Sequence, residues 1–432
     1  MLPEKIRLLN IGINGSPSGQ LLKHSTFEYR YITPEHEQPD VALQMPASKS
    51  PTWADGDLFS VLDQNLPEGD LFMRLRALYP KQPLTAMHLL SLVGGNGIGR
   101  LSFSMPGASP PDATHMSRES LLRMKFTAAV FDELVRAYLS TGAGIAGMQP
   151  KIMVPDRPTI AIPSLIVKAA SPEYPGLAAN EFLCLSAAKR AGILTPNFDL
   201  SDDGQMLVID RFDLRHTDDA DDSSLERLGF EDVAALGGLR VRDVLSERKY
   251  HGSYERVADL LKLFKVKSEC LHRFFEQIAF TVMVRNGDGH LKNYGLLYRS
   301  RNDIWLAPMF DVVTTAIYRY TQYPGGPELE DKTMALKLFK GRHQSKAYPT
   351  TEELLDFSTR VCGVHQPTEV LARIANAMSE TLALARNDAR IPAQLLDQME
   401  PIWYNGMGHA KSVKNSSMTP AGATARRATG GP

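Results

Sequence analysis

Each thing this sequence is short of closes a class of function. Cysteine is scarce, and Cys184, Cys270 and Cys362 are odd in number and far apart. That pattern offers neither a disulfide framework nor a zinc spacing, and it suits a reducing compartment, with the three read as core cysteines. No segment approaches the ~20 apolar residues that a membrane-spanning helix needs. The N-terminal stretch MLPEKIRLLNIGING also lacks a basic region followed by a long apolar run. The expectation is a cytoplasmic protein with no membrane role. An excess of charge is missing too: 48 Lys and Arg stand against 49 Asp and Glu, with no long basic stripe. Strong direct binding to nucleic acid is therefore not expected, and any role on DNA needs a partner.

What is present is a chain of 432 residues with 43% hydrophobic content, more than one hydrophobic core usually serves. Short apolar runs (IRLLNIGI, FEYRYI, VALQM) and helical patterns over about 57–78 and 87–92 describe a small α+β unit at 1–106. The stretch SMPGASPPDATHMS breaks both periodicities and reads as a linker. A second unit, 118–215, opens on a helical pattern, SRESLLRMKFTAAVFDELVRAYLS, and continues through TGAGIAGMQPK. The strand-like runs KIMV, SLIVKAA and QMLVIDRFDL follow, with an Ala/Leu-rich helix around Asn180 before the last of them. HTDDADDSSLERL is a solvated acidic loop. The third unit, 228–405, reads as mainly helical except for one hairpin, YGLLYRS and IWLAP joined by RND. The tail 409–432 is basic and poor in apolar residues, the composition of a disordered segment.

Chemistry concentrates in RNGDGHLKN, residues 285–293, between the apolar runs FFEQIAFTVMV and YGLLY. Asn-Gly and Asp-Gly are ordinary turn dipeptides. A reversal alone, however, needs neither two oxygen donors five positions apart nor a lysine and a histidine between them. In phosphoryl transfer one carboxylate receives the acceptor hydroxyl's proton while hard oxygen ligands hold magnesium. Asp288 suits the first task, Asn293 completes the kinase spacing D-x-x-x-x-N, and the hairpin then delivers PMFDVV, with Asp311 as a second metal ligand. Lys168 at the end of SLIV and Glu181 in the next helix match the strand lysine and helix glutamate with which kinases orient ATP, or else a lysine snorkelling from a sheet edge. GAGIAG (142–147) has a helix before it and a strand after it, the reverse of a dinucleotide fold. It reads as a loop able to approach phosphate, closed by Lys151, or as a plain glycine-rich turn.

The segments AGMQPK, NEFLCLSAAKRAGI, VIDRFDL, NGDGHLKN and PMFDVV resemble the HipA family of bacterial serine/threonine kinases, the toxins of toxin-antitoxin pairs. NGSPSGQLLK, FSVLDQNLPEGD and the region through IGRLSF are similar to that family's front subdomain, so the resemblance spans roughly residues 5–405. It implies an α+β, two-lobed protein-kinase-like fold with a small N-terminal α+β subdomain and a mainly helical C-terminal lobe. It implies Asp288 as catalytic base, Asn293 and Asp311 as Mg2+ ligands, Lys168 on the phosphates, and an ATP loop at Ala146, Gly147, Met148, Gln149 and Lys151. Asp210, Arg211 and Phe212 would line the adenine pocket, with His290 and Lys292 near the phosphates. The implied partners are a HipB-like helix-turn-helix antitoxin, operator DNA only through that antitoxin, and a protein substrate such as an aminoacyl-tRNA synthetase.

Two positions depart from the family pattern. Gly144 stands where the family has an autophosphorylated serine, leaving Ser140 and Thr141 as the nearest hydroxyls, and Pro150 replaces a glutamate in the loop and removes a backbone donor. Two rival readings stay open: an aminoglycoside- or choline-kinase-like enzyme, whose H-G-D-x-H-x-x-N motif the catalytic stretch nearly matches, and a degenerate kinase fold that only joins an antitoxin on DNA.

Overall fold

The computed structural model describes residues 2–32, 38–108, 115–127, 129–130, 133–135, 151–156, 162–169, 174–216, 225–321, 326–341 and 343–416. The glycine-rich run, Ala146, Gly147, Met148, Gln149 and Pro150, and the hydroxyls of Ser140 and Thr141 lie outside those residues.

The architecture is mixed α and β. Leu9, Ile11 and Ile13 alternate with less buried neighbours along β1 (Leu8–Ile13), the period of a strand with one face on a core. Asn14 and Gly15, at φ 50 and 78, then turn the chain into β2 (Ser16–Lys23). Two consecutive positive φ values match the twist of a tight hairpin, and Asn-Gly is the pair that adopts them most readily. With β3 (Phe27–Tyr31), β4 (Thr52–Asp55) and β5 (Leu101–Ser104) they form an antiparallel sheet in the order β4-β3-β2-β1-β5. Helices α1 (Ser60–Asp63), α2 (Gly69–Leu78) and α3 (Ala86–Val93) lie between β4 and β5. The run VALQM is not a strand: Val41, Ala42 and Leu43 are buried in a turn whose Leu43 N–H donates to Glu231 at 2.7 Å.

The helical pattern expected from 117 onward breaks early. α4 (Arg118–Arg123) ends at Met124, which is extended, and the Phe126 N–H is taken by the Asp203 carboxylate at 2.7 Å. The next sheet, order β6-β7-β9-β8, comprises β6 (Lys151–Val154), β7 (Leu165–Ala169), β8 (Phe198–Leu200) and β9 (Met206–Asp210), with α5 (Leu177–Arg190) between β7 and β8. β10 (Leu214–His216) and β11 (Leu225–Arg227) pair before β12 (Gly229–Asp232).

The expectation that the chain beyond Glu231 is helical apart from one hairpin holds only in part. β12 joins the hairpin β13 (Gly295–Ser300) and β14 (Asp303–Leu306) to make a three-stranded sheet, and β15 (Arg319–Thr321) pairs with β16 (Glu328–Glu330). The helices are α6 (Val233–Leu236), α7 (Tyr254–Leu263), α8 (Ser268–Met283), α9 (Thr351–Asp356), α10 (Pro367–Ala385) and α11 (Ala393–Ser416). α8 buries Phe274, Phe275, Ile278, Phe280 and Val282, side chains whose removal from water stabilises by about 2 kcal/mol each. α11 packs on α10 and α8 and runs to Ser416, so the chain is still helical, and His409 buried, inside the segment expected to be disordered. One contiguous apolar cluster extends from Ile6 to Met407.

Candidate active site

β6 and β7 pair with Lys151 opposite Lys168. Cross-strand partners point to the same face, so two ammonium groups stand side by side, both nearly buried. Like charges so placed require carboxylates. Lys168 Nζ donates to Glu181 of α5 at 2.5 Å and also to Asp311 Oδ1, while Lys151 Nζ lies 3.4 Å from Asp311 Oδ2. Burial disfavours each charge. In Asp311 the two lysines outweigh it and hold the carboxyl well below the usual range; in Lys168 the two carboxylates outweigh it and hold the ammonium above its usual value. Lys151, with the weaker contact, is lowered by burial, and Glu181 is raised by burial despite Lys168. Glu181 Oε2 is buried with no hydrogen-bond partner among the described residues.

Asp311 adopts φ 56, a left-handed conformation that costs a non-glycine residue about 1 kcal/mol. The surroundings hold it there. Three residues on, Thr314 donates its N–H to Asn180 Oδ1 at 2.9 Å, accepts from Asn180 Nδ2 at 3.1 Å, and accepts from the Trp403 indole at 2.8 Å. Asn180 precedes Glu181 on α5, so one helix turn positions both the partner of Lys168 and the segment bearing Asp311.

The loop after α8 begins with Arg285, also left-handed at φ 57, whose carbonyl accepts from Thr315 N–H at 3.2 Å. The Gly287 N–H donates to Thr315 Oγ1 at 2.7 Å. Asn293 Oδ1 accepts the His290 N–H at 3.0 Å, closing the 3-10 turn Leu291–Asn293. Asp288 faces the open cavity and remains accessible to water although protein surrounds most of it. That enclosure raises its carboxyl, and a hydrogen bond from the Tyr250 hydroxyl at 2.8 Å and the charge of Lys249 oppose the rise. His290 is held well below its usual range by burial and by Lys249, so its ring is neutral, and Nδ1 has no partner among the described residues.

These groups share a cavity of about 870 Å³, inside the range of roughly 300–1,000 Å³ typical of small-molecule sites. Lys151, Lys168, Asp288, His290, Lys292 and Asp311 line its polar side. Ile166, Ile209, Phe212 and Phe310 line its apolar side, where the rings of Phe212 and Phe310 stack 4.9 Å apart.

Not every residue singled out in the sequence arrives there. Asp210 and Arg211 line an adjoining cleft of about 550 Å³. The Asp210 carboxylate is engaged by Arg118 and by Asn197 at 3.1 Å, and the Arg211 guanidinium is buried against Asp213 and the carbonyls of Asn96, Gly97 and Pro163. Its N–H is also spent, on Ser164, at 2.9 Å. Lys292 does line the cavity, but its ammonium is paired at 2.5 Å with Glu68 of the N-terminal unit. Asn293 is not among the lining residues, and Glu181 lies behind Lys168. Glu68, Lys249, Tyr250 and Phe310 are among the lining groups that sequence reasoning missed. Phe310 was readable as the neighbour of Asp311; the others had no local signal.

Residues 143–385 match the HipA-like C-terminal domain, and residues 9–104 match the HipA N-terminal domain. The chain belongs to the HipA family. Among relatives of this HipA-family chain, "Putative kinase Y4dM" of Sinorhizobium fredii is 30% identical over 170 residues, covering 36% of this chain and 38% of that protein. A "Putative kinase" of Haemophilus influenzae is 25% identical over 230 residues, covering 49% and 62%. The chain therefore spans less than two thirds of either relative. The HipA chain in the solved complex of HipA, HipB and operator DNA from Shewanella oneidensis MR-1 aligns over 94% of this chain and 97% of that one, with a TM-score of 0.64 and 18% identity, a likeness of fold.

Proposed function

We propose that this HipA-family chain is a two-lobed, ATP- and magnesium-dependent serine/threonine protein kinase of the toxin type. The observation that carries the reading is the charge cluster: two buried lysines on adjacent strands, balanced by Glu181 and by an Asp311 kept ionised. Two cations lining one cavity suit a polyphosphate. The carboxylate between them suits a hard metal ion, because phosphate oxygens competing for the lysines would release its own oxygens. His290 lines the same space with a neutral ring.

In this reading Lys151 and Lys168 bind the phosphates, and Glu181 keeps Lys168 extended toward them. The apolar wall of Ile166, Ile209 and Phe212 receives the base. Asp311, which does line the cavity, would hold magnesium, and the metal would supply charge neutralisation at the transferring phosphoryl group. Asp288 accepts the proton of the acceptor hydroxyl. The acceptor class favoured by the family resemblance is a cytoplasmic protein of translation, an aminoacyl-tRNA synthetase, and the partner is a HipB-like antitoxin. Radiolabelled ATP incubated with the purified protein and a lysate tests the reading. A labelled protein band that Asp288→Ala abolishes is the expected result, and equal labelling by the variant overturns it.

A further inference from the structure

The 3-10 turn Asp243–Tyr250 ends with Tyr250 lining the cavity, its hydroxyl on Asp288 Oδ1 at 2.8 Å. The ring is braced from more than one side. It meets His290 edge-on at 5.2 Å, and the Lys346 ammonium lies 5.8 Å from its centroid. Backbone contacts tie the loop on both sides of the carboxylate, through Asp288 N–H to Asn286 Oδ1 at 3.1 Å and His290 N–H to the Asp288 carbonyl at 2.7 Å. Neither contact involves the carboxylate itself, and Tyr250 is the hydrogen-bond donor that the described residues offer it.

We infer that Tyr250 is a positioning residue for the proton acceptor: it fixes Oδ1 of Asp288, leaves Oδ2 to receive the acceptor's proton, and favours the charged carboxylate. This rests on the reading of Asp288 as the base. A donor to an ionised carboxylate stabilises that form over the protonated one, and a hydrogen bond to a charged group is strong enough to hold one rotamer. The other charged groups facing Asp288 are Lys249 from the same turn, which also favours the anion, and Asp311 and Asp331 from the segments after β14 and β16, which oppose it.

Tyr250→Phe removes the donor and keeps the ring. Magnesium-dependent ATP hydrolysis, with water as acceptor, should fall by roughly 10-fold at neutral pH. The acid limb of its pH profile should move to higher pH, because a carboxyl deprived of this donor gains its proton more readily. ATP affinity by calorimetry should be unchanged. In the nucleotide-free protein, Tyr250→Phe should lower the melting temperature, and that loss should disappear in an Asp288→Ala background. A wild-type pH profile together with additive thermal effects overturns the role. So does a phosphate on Tyr250 after incubation with ATP, which would make it an acceptor. If Asp288→Ala retains turnover, the assignment of the base falls and this role with it; if Asp288→Ala is inactive while Tyr250→Phe behaves as wild type, this role alone falls.

Discussion

Asp311 balances two charges at once, since two nearly buried lysines share its carboxylate. Asp311→Asn leaves those ammonium groups with Glu181 alone, and an uncompensated buried charge costs about 3 kcal/mol or more. The variant should be destabilised at neutral pH. The pH dependence follows from the sign of the shift. The carboxyl is held below its ordinary value in the folded protein, so its contribution is fully present above the unfolded value of about 4 and is lost as pH falls through the folded one. Thermal melts of wild type and Asp311→Asn should therefore differ most at pH 7 and converge in strong acid. A difference independent of pH would mean that packing, not charge, is lost.

Among the elements, the junction of α8 with α11 decides where the loop bearing Asp288, the proposed base, begins. Met283 ends α8, two residues before Arg285, and Gly406 of α11 lies directly on it. A methyl group at Gly406 would stand 1.8 Å from the Met283 carbonyl oxygen, inside any permitted contact. No flexible side chain is available to yield there, so the two helices must separate. Gly406→Ala should lower stability by roughly 1–3 kcal/mol and, on the proposed reading of Asp288, should also depress turnover, because the loop that carries Asp288 starts from the end of α8. Denaturation together with an ATPase assay checks both. Full activity in a destabilised variant would show that the loop of Asp288 is held independently of α11.

For the molecule as a whole, the N-terminal unit is part of the same body as the cavity. Gln64 donates to the Phe230 carbonyl at 2.8 Å, Glu68 pairs with Lys292, and the Leu43 N–H donates to Glu231. Glu231 also accepts from the Tyr298 hydroxyl at 2.8 Å, and burial raises its carboxyl from 4.5 to about 7. A raised acid destabilises the fold only once it must ionise inside it. Stability from this group therefore falls between pH 4.5 and about 7 and is level above, a loss of roughly 3 kcal/mol. Glu231→Gln should flatten that slope in melting temperature across the same range, and an unchanged slope would remove Glu231 as its source. A second expectation concerns the surface. With a net charge of -1, the isolated protein should not shift operator DNA at physiological salt, whereas a complex with a helix-turn-helix antitoxin should. Tight binding by the protein alone in a gel-shift assay would contradict the proposed division of labour.

Much of the fold was legible because its signals are short in range. The β6, β7 and β9 runs, the helix carrying Asn180 and Glu181, and the β13–β14 hairpin follow from periodicity and turn chemistry within a dozen residues. So did the grouping of Asp288 and Asp311 around one connection, since only a hairpin separates them. The missing pieces are contacts between distant segments. Tyr250 meets Asp288 across 38 positions, Lys292 meets Glu68 across 224, and Arg211, read as part of the nucleotide pocket, instead ties the second unit to the carbonyls of Asn96 and Gly97. The amino-acid order by itself determined the elements around the cavity (β6, β7, β9, the helix of Asn180 and Glu181, and the β13–β14 hairpin) and the acids, amides and lysines they carry, because backbone propensity and amphipathic period are local properties. The fate of VALQM and of the strands β12, β15 and β16 was settled by packing instead. Only the tertiary structure decided which charges neutralise one another and which hydroxyl reaches Asp288, because those pairings depend on the path of the whole chain and leave no trace in the spacing of neighbours.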